Sequence, residues 1–169
     1  SALATQHDAI NLGQGFPDKD GPLALREKAA QALIEGPNQY PPMMGVEALR
    51  QALAAHAKRF YGLSYDWRSE IVVTSGGTEA LTASIMGVVK PGDEVVLFEP
   101  AYDSYRPIIE AVGGVARPIR LQAPGWVLTD AALAAAFSDK TKAILLNSPM
   151  NPAGKVFSGD ELALIARYL

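Results

Sequence analysis

The sequence predicts an α/β fold in which helices cover both faces of a mostly parallel sheet. Two observations predict this class. Short aliphatic runs of strand length alternate with helical patterns, which is the order of βαβ units. Most of these runs are apolar throughout, as is typical of strands that are buried on both faces. Right-handed crossovers between parallel neighbours follow from this order.

Each element has its own local signal. Runs rich in β-branched or aliphatic residues predict four strands: Ile71–Thr74, Glu94–Glu99, Val115–Leu121 and Lys142–Asn147. Helical patterns predict five helices: about Leu23–Glu35, Val46–Tyr61, Thr78–Lys90, Tyr102–Val112 and Asp160–Leu169. Pro91-Gly92 and Gly113-Gly114 end two of these helices, because neither pair continues a helix well.

Composition excludes several classes of function. The chain has 169 residues, of which 49% are hydrophobic and 20% charged, which is enough apolar material for a core. Its formal net charge of −3 makes binding to a polyanion such as nucleic acid unfavourable. The absence of cysteine excludes disulfides, thiolate metal sites and cysteine nucleophiles. Apolar stretches fall short of the roughly 20 residues of a membrane span, and Ser1–Asp8 does not resemble a signal peptide. We expect a cytoplasmic protein without a metal site.

The first candidate for ligand binding is the turn Thr74–Ala80, between the first predicted strand and its helix. Gly76 and Gly77 let a ligand approach the backbone, and the N–H groups at the helix start can bind an anion such as phosphate. The alternative is a tight turn with an N-cap serine, in which Glu79 satisfies the helix dipole.

The second candidate is Glu99–Tyr102, directly after the second predicted strand. Ligands of open α/β sheets bind beyond the carboxyl ends of the strands, where Tyr102 could stack on a flat ring. The alternative is a tyrosine of the core or of a lid.

The third candidate is the loop Asn147–Lys155, after the fourth predicted strand. Its two asparagines and two prolines predict a rigid loop that can hold an amide against a ligand. Lys155 is predicted to be solvated or ion-paired rather than a Schiff-base lysine, because nothing nearby in sequence would activate its amine. A fourth segment, Asn11–Asp18, has alternating glycines whose N–H groups could receive a carboxylate. Together these loops predict a site for a flat, phosphorylated ring.

Five ordered motifs resemble those of class I/II aminotransferases, which are pyridoxal-phosphate enzymes of fold type I. They are Asn11–Asp18, Asn38–Tyr40 with Gly45 and Leu49-Arg50, Ser75–Leu81, Pro91–Tyr105 and Asn147–Val156. The nearest branch is that of the kynurenine and methionine aminotransferases. The resemblance implies a three-layer αβα sandwich with a mostly parallel sheet, incomplete at its C-terminus. Residues 1–40 would contribute to the small domain, and residues 41–169 would form the first half of the large, cofactor-binding domain.

The resemblance also implies roles in cofactor binding. The N–H groups of Gly77 and Thr78 would hold the cofactor phosphate, and Tyr102 would stack on the pyridine ring. Asn151 would bond the ring hydroxyl and lie close to the substrate carboxylate. Met150 departs from the family, in which a polar residue is frequent at this position.

Two residues near the N-terminus complete the implied site. Gly15 would meet the substrate carboxylate through its backbone, and Tyr40 would reach the phosphate of a neighbouring subunit, which implies a homodimer with shared sites. The bonds Glu99–Pro100 and Asn151–Pro152 are expected to be cis, as is frequent in the family.

No catalytic residue is assigned, because the Schiff-base lysine of the family lies downstream of Leu169. Lys155, Asp160 and Arg167 stand in no matching motif. We expect amino-group transfer between an L-amino acid and a 2-oxo acid by a longer chain, and none by these 169 residues alone. A carbon–sulfur lyase or synthase on the same fold, or a non-catalytic ligand-sensing domain, remains an alternative.

Overall fold

The computed structural model describes residues 2–11, 13, 15, 17 and 19–169, in two compact units that divide between Val46 and Glu47. The first unit contains the helices α1 (Ala2–Gln6) and α2 (Leu23–Glu35). The helix predicted at α2 is confirmed, whereas α1 is not predicted by the sequence pattern. The assignment of residues 1–40 to a small domain and 41–169 to a large domain stays a prediction.

The second unit is built on a parallel sheet. Its strands are β1 (Glu94–Glu99), β2 (Val115–Arg120) and β3 (Thr141–Leu145), in the order β2-β1-β3. Both pairings are parallel, with Glu94 opposite Val115 and Thr141. The central strand is apolar from Val95 to Phe98, and these four residues are buried. The predicted parallel arrangement is therefore confirmed, and β1 has the predicted bounds.

Helices cover both faces of this sheet. They are α4 (Gly77–Val88), α5 (Tyr105–Ala111), α6 (Asp130–Ala136) and α7 (Gly159–Ala166). The unit also contains α3 (Glu47–Tyr61), of whose described residues none is buried and none joins either core cluster. Ile85 of α4 and Ile109 of α5 pack with Val95 and Leu97, which point to one face of β1. The opposite face packs in a second cluster, which includes Leu133 of α6 and Ile165 of α7. The predicted αβα layering is confirmed.

The predicted strand at residues 71–74 is wrong. Within the described part of the chain, these residues pair with no strand. Ile71 and Val73 are partly buried, whereas Val72 is exposed. A run of β-branched residues favours an extended backbone, but a strand also needs a hydrogen-bonded neighbour, and the pattern does not identify one.

The structure adds the helix α6, which the sequence pattern does not predict. This segment is almost entirely alanine, so it has no contrast between a polar and an apolar face. Its start is set by Thr129, whose hydroxyl accepts the N–H of Ala132 at 3.2 Å. None of the helices in the described residues is both long and apolar enough to cross a membrane.

Candidate cofactor-binding site

Three of the predicted binding segments lie at the carboxyl edge of the sheet. α4 ends at Val88, and a short turn joins it to Glu94 at the start of β1. Ile85, near the end of α4, packs with Val95 and Leu97 of β1, and α4 also contacts α5. The N-terminus of α4 therefore lies away from the turn, toward the carboxyl edge. Tyr102 follows the end of β1 and Asn151 follows the end of parallel β3. The topology therefore brings Gly77, Tyr102 and Asn151 to one edge.

The start of α4 is suited to an anion. Gly76 is the N-cap, with φ 85° and ψ 171°, a conformation available essentially only to glycine. No side chain caps the helix, and the N–H groups of Gly77 and Thr78 have no acceptor among the described residues. Added Cβ atoms at Gly76 and Gly77 would meet nothing within 4 Å. The helix start is thus open and has free donors, as phosphate binding requires.

The alternative of an N-cap serine is wrong, because Ser75 precedes the cap residue and caps nothing. Its N–H instead donates to the carboxylate of Glu79, which lies in the first helical turn. That contact places the negative charge of Glu79 near the positive end of the helix dipole. The second part of the alternative, that Glu79 satisfies the dipole, therefore agrees with the structure.

Tyr102 is not part of the core. Tyr102 is 38% exposed, and its ring packs with that of Tyr105 in a T-shaped arrangement with 5.7 Å between centroids. Tyr102 lines an open pocket of about 330 Å³ together with Pro100 and Arg106. A partly exposed aromatic ring beside an open pocket is able to stack on a flat ligand.

Glu99 holds the segment that leads to Tyr102, a role that no sequence motif indicates. Its carboxylate accepts hydrogen bonds from Arg106 at 2.8 Å and from Arg120 at 3.2 Å. The hydrogen bond from Arg106 is the largest influence on Glu99, and with that from Arg120 it outweighs burial, so the pKa of this carboxyl lies below its ordinary value. In the sequence, this ion pair is indicated only by the seven-residue spacing between Glu99, at the end of β1, and Arg106, in the first turn of α5.

This pKa shift predicts how stability depends on pH. Because the pKa of Glu99 is lowered in the folded protein, its contribution is complete above the ordinary value and is lost as pH falls through the folded value. Glu99→Gln should therefore reduce the free energy of unfolding at neutral pH, with a difference that shrinks in acid, below the ordinary pKa of a glutamate carboxyl. Urea unfolding at both pH values measures this difference. Glu110→Gln is the control, because Glu110 is an exposed partner of Arg106, and it should have little effect at either pH. If Glu99→Gln lost the same free energy of unfolding at both pH values, the account would be contradicted.

The loop after β3 holds Asn151 by its backbone. The N–H of Asn151 donates to Oδ1 of Asn147 at 2.7 Å, whereas its side-chain amide bonds no described residue. Met150, beside it, is 4% exposed and belongs to the core cluster. The methionine that stands where the family frequently has a polar residue therefore packs in the core. The bonds Glu99–Pro100 and Asn151–Pro152 are both cis, as predicted. Asn151 thus offers a free amide on a fixed backbone.

Lys155 is ion-paired, as predicted. Its Nζ lies 2.8 Å from Oε1 of Glu161, and its side chain is only 9% exposed. The other residues without a matching motif lie on the surface. Asp160 is exposed in the first turn of α7, and Arg167 pairs with Asp130 at 3.4 Å.

Gly15 and Tyr40 belong to the first unit and are described with that unit alone. Gly15 is exposed, and an added Cβ there would meet nothing within 4 Å. Tyr40 is 94% exposed and has a φ of 47°, in the left-handed region that bulky residues rarely occupy. Of the segment Asn11–Asp18, residues 12, 14, 16 and 18 lie outside the described part of the chain.

Curated relatives cover nearly the whole chain. It is 48% identical to a probable N-succinyldiaminopimelate aminotransferase of Mycobacterium tuberculosis and 47% identical to the methionine aminotransferase of Escherichia coli, each over 98% of this chain. It is 38% identical to human kynurenine–oxoglutarate transaminase 1 over 97% of this chain. The chain spans only 42% to 43% of the length of these three relatives.

Solved structures agree with this likeness. The methionine aminotransferase of Escherichia coli matches with a TM-score of 0.94, at 46% identity over 99% of this chain and 44% of that one. The N-succinyldiaminopimelate aminotransferase of Mycobacterium tuberculosis matches with a TM-score of 0.93, with the same identity and coverage. Residues 7–169 also match the family model of aminotransferase class I and II. The chain belongs to the class I and II aminotransferases, in agreement with the five motifs that suggested this family.

Proposed function

We propose that this chain forms the phosphate- and ring-binding part of an aminotransferase that moves the amino group of an L-amino acid to a 2-oxo acid. Enzymes of its family depend on pyridoxal phosphate. The observation that carries the proposal is the common position, at one sheet edge, of an uncapped helix start, a half-exposed aromatic ring and a free amide. These are the three groups needed for a phosphate, a flat ring and a ring hydroxyl.

In this proposal the residues bind and orient the cofactor. The N–H groups of Gly77 and Thr78 would hold the phosphate, since they have no acceptor within the described residues. Tyr102 would stack on the pyridine ring, and the amide of Asn151 would donate to the ring hydroxyl. When bound, the cofactor supplies an electron sink for the pair left when the substrate loses its α-proton.

The substrate carboxylate would be bound by the backbone of Gly15 and by Asn151. Gly15 supports this role because it is exposed and has free space where a side chain would be. The amide of Asn151 has the donors that a carboxylate needs. Small-molecule amino acids and 2-oxo acids are the proposed substrates.

A homodimer in the cytoplasm is the proposed form of the whole protein. Tyr40 supports shared sites, because a tyrosine in left-handed backbone is a costly arrangement that tends to occur where function requires it. With 94% of its surface exposed, it is available to a cofactor phosphate on a second subunit.

Carbon–sulfur lyases and synthases of the same fold share this way of holding the cofactor, so the reaction product distinguishes them from aminotransferases. The relatives at 47% and 48% identity are both named as aminotransferases, which favours amino-group transfer. Incubating the full-length protein with pyridoxal phosphate, an amino acid and 2-oxoglutarate should yield glutamate and a new 2-oxo acid. Release of ammonia and a thiol without glutamate would instead indicate a lyase.

Tyr102 provides a test at the level of one residue. Tyr102→Ala removes the stacking ring and should weaken pyridoxal phosphate binding about twofold to tenfold, the equivalent of about 0.5–1.5 kcal/mol. Tyr102→Phe keeps the ring and is the matched control, so its affinity should stay close to that of the wild type. Equilibrium dialysis measures both dissociation constants. An unchanged affinity in Tyr102→Ala would remove Tyr102 from the proposed site.

A further inference from the structure

The loop that carries Asn151 is closed by its own backbone. The N–H of Met150 donates to the carbonyl oxygen of Lys155 at 2.8 Å, and the N–H of Gly154 donates to the carbonyl oxygen of Met150 at 2.7 Å. Asn151 lies between these two closures, and its N–H is held by Asn147. The carbonyl of Lys155 therefore fixes one side of the turn that positions Asn151.

The side chain of Lys155 is fixed as firmly as its carbonyl. Lysine is rarely buried, yet this side chain is 9% exposed and that of its partner Glu161 is 18% exposed. Besides the 2.8 Å contact between them, Nζ of Lys155 lies 4.9 Å from the centre of the Phe157 ring. Phe157 is itself buried in the core cluster. Lys155 thus ties the loop to α7 and to the core.

Glu161 joins three segments of the chain. Its Oε1 accepts from Lys155 and, at 3.4 Å, from the N–H of Leu128. Its Oε2 accepts the N–H of Ser158 at 2.9 Å, within the capping box of α7. Burial, the largest influence, would raise the pKa of Glu161, but the bonds from Lys155, Ser158 and Leu128 together lower it below its ordinary value. Glu161 is therefore a charged anchor to which Lys155 is attached.

We propose that Lys155 and Glu161 are positioning residues for Asn151, and that their ion pair sets the distance between the Asn151 amide and the ring hydroxyl of pyridoxal phosphate. This inference rests on the proposed function. The path is short and continuous: Glu161 fixes the Lys155 side chain, the Lys155 carbonyl fixes Met150, and Met150 precedes Asn151. Loss of the pair removes the tie between Lys155 and α7, while the buried Met150 side chain and the Asn147 amide still hold the other end of the turn.

The test measures the affinity for the cofactor and the absorbance of the bound cofactor, rather than activity alone. In the full-length protein, Lys155→Met removes the charge and keeps most of the apolar stem. We expect pyridoxal phosphate to dissociate about tenfold more readily, by analogy with the outer partners of metal-ligating side chains, whose loss weakens binding about tenfold or more. We also expect the pH midpoint of the bound cofactor's absorbance to rise, because a donor to the ring oxygen favours its ionised form. A purely structural role would leave that midpoint unchanged.

Three further variants complete the experiment. Glu161→Gln loses the charge and keeps one oxygen, which can accept the N–H of Ser158 or that of Leu128 but not both as now arranged. It should shift the midpoint in the same direction even if Lys155→Met fails to fold. Lys155→Arg keeps the charge and should restore most of the affinity. Arg167→Met is the control, because it removes an exposed ion pair in which Arg167, at the end of α7, lies 3.4 Å from Asp130. It should leave the cofactor affinity and the absorbance midpoint at their wild-type values.

The outcomes separate the inference from the proposed function. A wild-type protein that does not bind pyridoxal phosphate overturns both. A wild-type protein that binds it, with Glu161→Gln lowering the melting temperature while affinity and absorbance midpoint stay unchanged, overturns only the positioning role of the pair. A raised midpoint in Glu161→Gln, with recovery in Lys155→Arg, supports the inference.

Discussion

Gly76→Ala is expected to weaken the binding of pyridoxal phosphate roughly fivefold to 150-fold. Gly76 caps α4 with φ 85° and ψ 171°, and a residue with a Cβ atom pays about 1–3 kcal/mol for such a conformation. The free protein can avoid this strain by rearranging its helix start, whereas the bound form must restore the orientation of the Gly77 and Thr78 N–H groups. The strain then appears as lost affinity, measured by equilibrium dialysis.

Gly87→Ala is the matched control, because it makes the same substitution in the same helix. Gly87 lies in the last turn of α4, and an added Cβ would meet nothing within 4 Å. Alanine has a higher helix propensity than glycine, so this variant should be at least as stable as the wild type and bind the cofactor normally. Equal affinities for Gly76→Ala and Gly87→Ala would show that the conformation of Gly76 does not matter for binding.

Met150→Ala is expected to lower the free energy of unfolding by about 2–5 kcal/mol, as large-to-small changes in a core do. Met150 is 4% exposed and belongs to the cluster that contains Phe98 and Phe157. Its backbone also closes the turn around Asn151, so a cavity beneath it should loosen the loop and weaken cofactor binding as well. Urea unfolding and cofactor titration measure the two effects.

Met150→Leu keeps the volume of the side chain and should cost less than about 1.5 kcal/mol. Met150→His introduces a polar side chain of the kind frequent in the family, and here it would have to be buried in an apolar cluster. We expect it to be strongly destabilising. A polar substitution at Met150 that preserves stability would contradict the placement of this side chain in the core.

Most elements of the fold were predictable because their signals are local. The central strand Glu94–Glu99 is a continuous apolar run with charged ends, and the helix Leu23–Glu35 has the predicted bounds. Residues 71–74 show the limit of such signals, because whether an aliphatic run pairs in a sheet depends on a neighbour elsewhere in the chain. α6 shows a second limit, because a nearly all-alanine helix has no amphipathic period.

The binding motifs of the candidate site were predictable from the sequence, whereas the residues that hold these motifs in place were not. The positions of Gly77, Tyr102 and Asn151 follow from the rule that parallel strands end at one edge, which the sequence order already provides. The carboxylates of Glu99 and Glu161, which hold two of the three loops, are less visible because their partners lie across element boundaries. Leu128 and Glu161 lie 33 positions apart in the sequence and are hydrogen-bonded in the fold, a contact that no local pattern records.

The most direct test of the account is a crystal structure of the full-length protein with pyridoxal phosphate. The account predicts phosphate oxygens at hydrogen-bond distance, about 2.7–3.2 Å, from the backbone nitrogens of Gly77 and Thr78. It also predicts the ring against Tyr102 and the ring hydroxyl at the amide of Asn151. A phosphate bound elsewhere, with the start of α4 left to solvent, would contradict the central claim that this edge of the sheet holds the cofactor.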